Sequence, residues 1–110
     1  MGNTYYPDGW CIIRLLNNDY RVFASWGGGY LHGDSWRINS GVASFTETET
    51  HINFIGDSGS VYVCAKSTEN RLTGYNMSVL DGVLKRNVAV IVQFEKFKED
   101  FELPVAKSDE

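Results

Sequence analysis

The segment 26–41, WGGGYLHGDSWRINSG, interleaves Trp26, Tyr30, His32, Asp34, Trp36, Arg37 and Asn39 with glycines. Three consecutive glycines let a ligand or partner approach the backbone, and the flat rings of Trp26, Tyr30 and Trp36 then offer stacking surfaces. His32, Asp34, Arg37 and Asn39 add directional hydrogen bonds beside them. The same composition also describes a hairpin tip whose aromatics fold back over the end of a sheet, since glycines simply make turns. The GGGY-x-x-G run is no phosphate loop, because Gly-Lys-Ser/Thr does not follow it and it does not join a strand to a helix.

Three other groupings bear chemistry on paper. Asp57-Ser58-Gly59-Ser60 follows Gly56 as GDSG, yet Asp, Ser and Gly are equally the residues of a hairpin turn, and Ser58 needs a base held by a third group. The only histidines are His32 and His51, and the order of residues places neither beside Ser58. Cys64 lies in SVYVCA, where alternation puts Ser60, Tyr62 and Cys64 on one face, so it reads as a half-buried small residue before it reads as a nucleophile. Tyr62, Arg71 and Tyr75, with Asn76, form a looser polar and aromatic set. If the two Gly-rich segments share one end, Arg71 and Arg37 face a common groove that suits an anion. Two scattered histidines and no paired carboxylates make no metal set, and nothing calls for a cofactor.

These residues must be positioned by a chain of 110 residues, the size of one domain with one core. An apolar share of 43% and a charged share of 22% belong to a globular protein rather than a disordered one. The net charge of −4 sits largely at the end, where three lysines meet six carboxylates from Glu95 onward. A near-neutral body gives little purchase on a phosphate backbone, so nucleic acid is disfavoured as a partner. Cys11 and Cys64 are not spaced as metal ligands, and no apolar run is long enough for a membrane helix. With no leader of the secretory type, the expected setting is the cytoplasm with both thiols reduced.

Alternation predicts strands over 9–16 and 20–26 around the Asn17-Asn18-Asp19 turn, a short strand over 35–38, and a second hairpin over 42–48 and 51–55. A turn or bulge is expected at Asn39-Ser40-Gly41, a strand over 60–65 and a loop over 66–76. The spacing of Val79, Leu80, Val83 and Leu84 predicts a helix over 77–87 capped by Ser78. The β-branched run over 88–97 predicts a long last strand, whose edge would be free to pair in a homodimer. The expected fold is mainly β within the α+β class: a small curved antiparallel sheet or partly open barrel with one short helix. One domain covers 1–98, and 99–110 is expected to be an acidic C-terminal tail.

YRVFASWGGGYLHGDSWRINSGV followed by FIGDSGSVYVCAK resembles small accessory proteins of tailed bacteriophages, over the stretch from Tyr20 to Tyr75. That resemblance implies a protein that binds and disables a host protein, or sequesters a host signal molecule, in the host cytoplasm. It carries no catalytic residue across. The reading that follows is a non-enzymatic inhibitor of a host defence or regulatory protein, acting through the aromatic and Gly-rich loop, with the acidic tail steering it toward a basic surface. The alternative is a binder of a small nucleotide-like anion through Trp36, Arg37 and Arg71.

Overall fold

In the computed structural model the described residues are 2–28 and 33–101. Eight strands run in order as β1 Thr4–Tyr5, β2 Gly9–Arg14, β3 Tyr20–Trp26, β4 Ser35–Ile38, β5 Val42–Glu47, β6 His51–Gly56, β7 Val61–Ala65 and β8 Val90–Val92. The helices are α1, Gly74–Asn87, and α2, Phe94–Phe101, with a short 3-10 turn at Lys66–Thr68. The strands form two four-stranded sheets, ordered β4-β3-β2-β8 and β1-β7-β6-β5, antiparallel except where β1 joins β7. The architecture is therefore α+β with two facing sheets and two helices, rather than one curved sheet or barrel with one helix.

Strand β2 explains the layering. Its residues are buried on both faces from Gly9 to Ile13, as happens when a strand has neighbours above and below. Trp10 and Ile12 point toward the second sheet and meet Ile52, Phe54 and Cys64. Cys11 and Ile13 point the other way and meet Leu80 and Val83 of α1. The Trp10 indole N–H donates to the Ala65 carbonyl at 2.8 Å, and its ring lies 5.6 Å from Phe54. The buried indole thus finds a polar partner while joining the sheets.

The β2–β3 hairpin turns at Asn17-Asn18, with Asn18 at φ 68°, a left-handed angle that Asn tolerates. Between β4 and β5 the chain leaves one sheet for the other. Asn39 holds the corner, its backbone N–H donating to the Val22 carbonyl while its Oδ1 accepts from the Val22 N–H at 2.9 Å. Gly41 takes φ +136°, and the register of β5 on β6 then shifts between Val42 and Ser44. The expected turn or bulge is thus a crossover, and Asn39, buried at 3% exposure, serves the fold rather than a ligand.

Two expectations for the last third are overturned. The helix starts at Gly74 and is capped by Thr73, whose Oγ1 accepts from the Asn76 N–H at 3.1 Å, not by Ser78. The β-branched run after it gives only the three residues of β8, and 94–101 is helical rather than strand and fraying tail. Phe94 and Phe97 are buried on α2, and the Glu69 carboxylate accepts from the Phe94 N–H at 2.7 Å, placing a negative charge at the start of the helix. Lys98 of α2 and Lys66 both donate to Glu47, at 2.9 and 2.6 Å, tying the helix to β5. These two hydrogen bonds lower the Glu47 pKa below its ordinary value. The ties are present above the ordinary carboxylate range and are lost as the pH falls through the lowered value. No described helix is long and apolar enough to cross a membrane.

Helix α1 ends on Val88 at φ 50° and ψ 46°, exposed, with the Ala89 N–H reaching back to the Leu84 carbonyl. A β-branched residue pays a steric penalty in this left-handed cap, where glycine has none. Val88→Gly is expected to raise stability by about 1 kcal/mol in a denaturant titration; a fall would mean that the Val88 side chain contributes contacts exceeding the strain.

Candidate functional site

The residues singled out in 26–41 do not form one surface. Trp36 and Arg37 are consecutive on β4, so they point to opposite faces of the sheet. Trp36 lies on the α1 side, stacked on Phe23 with centroids 5.7 Å apart and planes 7° from parallel, and it remains 42% exposed. Arg37 lies on the side of the second sheet, its guanidinium 4.6 Å from the centre of the Tyr5 ring. Tyr5 also packs on Tyr62 at 5.0 Å and edge-on to Trp26 at 6.2 Å. Tyr62 is buried at 2% exposure and belongs to the core between the sheets. Burial raises its hydroxyl pKa, and the Arg37 guanidinium opposes that shift.

Trp26 is half-buried, its indole N–H donating to the Tyr6 carbonyl at 3.0 Å. Asp34 is half-buried beside β4, while Tyr30 and His32 lie outside the described residues. Arg71 is exposed, and its Cβ lies 3.4 Å from where a Cβ on Gly9 would stand, on the face of β2 that Cys11 presents to α1, so Arg71 belongs to the α1 side. Arg37 and Arg71 therefore do not share a groove, and Trp36, Arg37 and Arg71 do not make one anion site. Gly28 has a structural use: a Cβ there would lie 1.6 Å from the Gly33 carbonyl oxygen. Close backbone approach at the neck of the loop, rather than at a ligand, is what requires glycine there.

A smaller site does assemble at this end. Asn76, fully buried in the first turn of α1, donates through Nδ2 to Ser25 Oγ and to the Ser35 carbonyl, both at 2.8 Å, and to the Trp26 carbonyl at 3.5 Å. One side chain thus pins the helix start to β3 and β4. Its neighbour Tyr75 is 61% exposed, and the neighbour of Ser35 is Trp36. Tyr6, which receives the Trp26 indole hydrogen bond, is 67% exposed. The backbones that carry Tyr6, Trp36 and Tyr75 thus meet at the end of β3, beside Gly27, whose N–H donates to Asp8 at 2.9 Å. Tyr5 and Tyr6 were missing from the expected set; the paired tyrosines of NTYYPDG were the signal for them.

The other groupings resolve toward structure. Asp57-Ser58-Gly59 makes the β6–β7 turn, with the Gly59 N–H donating to the Gly56 carbonyl and Gly59 at φ +92°. Ser58 and His51 stand at opposite ends of β6, a separation of roughly 17 Å for an extended strand. Cys64 is fully buried rather than half-buried, its thiol directed at the Tyr62 carbonyl at 3.7 Å. Among the described residues no group of three or more metal-ligating side chains comes together.

Burial pushes the Cys11 thiol up to about 12, with the Glu69 charge adding to the effect, and burial pushes Cys64 up as well. Both should resist a disulfide reagent such as DTNB in the native state and react at once in denaturant. A raised folded pKa favours the folded state below the unfolded value of 9.0 and loses that advantage as the pH climbs toward 12. For each thiol, stability is expected to fall by about 1 kcal/mol per pH unit as the pH rises above 9.0. Prompt labelling of the folded protein would show that one thiol is accessible.

Comparison with family models, with curated proteins and with solved structures finds no match. The architecture defines the class: an α+β protein of two facing four-stranded sheets with one helix on an outer face and one closing an end.

Proposed function

We propose that this is a non-enzymatic binding protein that recognises a partner protein through Tyr6, Trp36 and Tyr75. The observation that carries it is the exposure of these rings. Most of the other aromatics are buried or packed between the sheets, whereas these three stand in solvent on a frame held by Asn76 and Trp26. Large aromatic side chains on rigid supports contribute most to interface affinity, because little motion is lost on binding. The partner is proposed to be a host defence or regulatory protein, in keeping with the resemblance to bacteriophage accessory proteins, and the setting the host cytoplasm. The acidic end of the sequence would steer it toward a basic surface.

A test is affinity capture from bacterial lysate on immobilised protein, with a Trp36→Ala/Tyr75→Ala variant run beside it. The reading expects a protein retained by the first and lost from the second. Identical retention on both would remove the aromatic end from consideration.

The nucleotide-like anion reading keeps one observation in its favour. Arg37 is exposed, rests on a tyrosine ring and has no ion pair among the described residues. A thermal-shift screen with nucleotides should then show stabilisation that Arg37→Ala abolishes. No shift with any nucleotide would leave the protein-binding reading alone.

A further inference from the structure

Strand β8 ends its sheet, and the ladder pattern shows which of its groups are unpaired. The Leu15 N–H bonds to Asp19 across the hairpin, so odd residues of β2 face β3, while the Trp10 carbonyl faces away and accepts from Asn70. Even residues therefore face β8, where Ile12 pairs with Val92 and Arg14 with Val90. The N–H and C=O of Ile91 consequently point outward, away from the sheet. On either side the edge is closed off: the Ala89 N–H bonds to Leu84, and the Gln93 carbonyl accepts from Phe97. Among the described residues the open groups are the Ile91 pair, flanked by the Ala89 carbonyl and the Gln93 N–H.

Beside this edge a cleft of about 630 Å³ runs between β8 and α1, with Met77, Ser78 and Leu84 on one side, Ile91 and Gln93 on the other and Cys11 at its floor. Met77 is 56% and Ile91 43% exposed. Outward N–H and C=O groups are satisfied by an extended backbone and not by a helix, whose own groups are paired internally. Alternate side chains of such a strand would turn into the cleft.

We infer that β8 and this cleft bind an extended peptide segment of a partner protein, which adds as a strand to the sheet and seats a large apolar side chain against Met77, Leu84 and Ile91. Asp81 of the lining is paired with Lys85 at 3.0 Å, so the cleft selects for the apolar side chain rather than for charge. A second copy of this chain fits less well. Its β8 would bring three residues and the bonds of Ile91 alone, far short of the roughly 1,200 Å² that a stable dimer buries. This inference does not rest on the aromatic end.

The test is a titration of the full chain with capped octapeptides in which Thr alternates with Phe, Leu or Met and a Lys stands at each end, read through backbone amide NMR. The expected result is a shift of the Ile91 and Gln93 amides and slowed hydrogen exchange at Ile91. Ile91→Pro removes the outward N–H and the Ile91 side chain that lines the cleft while the ladder to β2 is kept, and it should weaken binding about tenfold or more. Ser78→Trp, on the exposed helix face, fills the cleft and should do the same should the proline variant fail to fold. Three results would overturn the inference: no shift at Ile91 or Gln93 with any of the peptides up to about 1 mM, binding unchanged in a folded variant, or the same shifts arising on self-association without peptide.

Discussion

Phe97→Ala is expected to destabilise the protein by about 4 kcal/mol, the cost of removing a fully buried aromatic ring. Phe97 is 0% exposed and stands within ring-contact distance of Tyr20, Phe45, Phe54, Phe94 and Phe101, the tightest being Phe101 with centroids 4.9 Å apart. The ring belongs to the core between the sheets, so α2 closes one end of that core rather than trailing from it. For a domain of this size the melting temperature should drop by roughly 15–30 °C. Lys96→Ala on the same helix, where Lys96 makes only exposed ion pairs with Glu99 and Asp100, should change stability by less than about 0.5 kcal/mol. Equal, small effects for both variants would show that 94–101 does not pack as described.

Asn76→Ala should cost about 3 kcal/mol, a large effect for so small a deletion. The side chain is fully buried, and removing it strands the buried Ser25 hydroxyl, where water does not replace the lost donor easily, and takes the donor from the Ser35 carbonyl. Its consequence reaches past stability. Asn76 ties α1, which carries Tyr75, to β4, which carries Trp36, so if these rings are the recognition surface, affinity for the partner should fall too at a temperature where the variant remains folded. Equilibrium denaturation and a binding titration on the same sample separate the two effects. Unchanged stability would mean that the helix start is held by something other than Asn76.

How much of this was legible can be judged strand by strand. β3 and β4 were readable to the residue because polar and apolar positions alternate and turn residues bound them. β2 carried a further signal in Trp10-Cys11-Ile12-Ile13, a run without alternation, which means burial on both faces and hence a third layer. α2 was hidden by composition: its charges read as a solvated tail, although Phe94, Phe97 and Phe101 recur at the spacing of one helix face. β1 is two residues long and pairs in parallel with β7, a long-range choice that local pattern does not encode.

For the site, the residue types were readable and the grouping was not. Trp36 and Arg37 are adjacent in a strand, so period-two geometry already sets them on opposite faces, and an anion site using both was excluded by the strand assignment itself. Asn76 looked like one more polar loop residue because the helix was expected to begin after it. Only the tertiary contact of α1 with β3 and β4 turns it into the support of the aromatic end.

The most direct measurement is the dissociation constant of the captured partner for Tyr75→Ala, set beside its melting temperature. Tyr75 is 61% exposed in the first turn of α1. If the aromatic end is the recognition surface, affinity should fall by about thirtyfold or more while the melting temperature stays within about 2 °C of the wild type. An affinity within about twofold of the wild type would contradict the account.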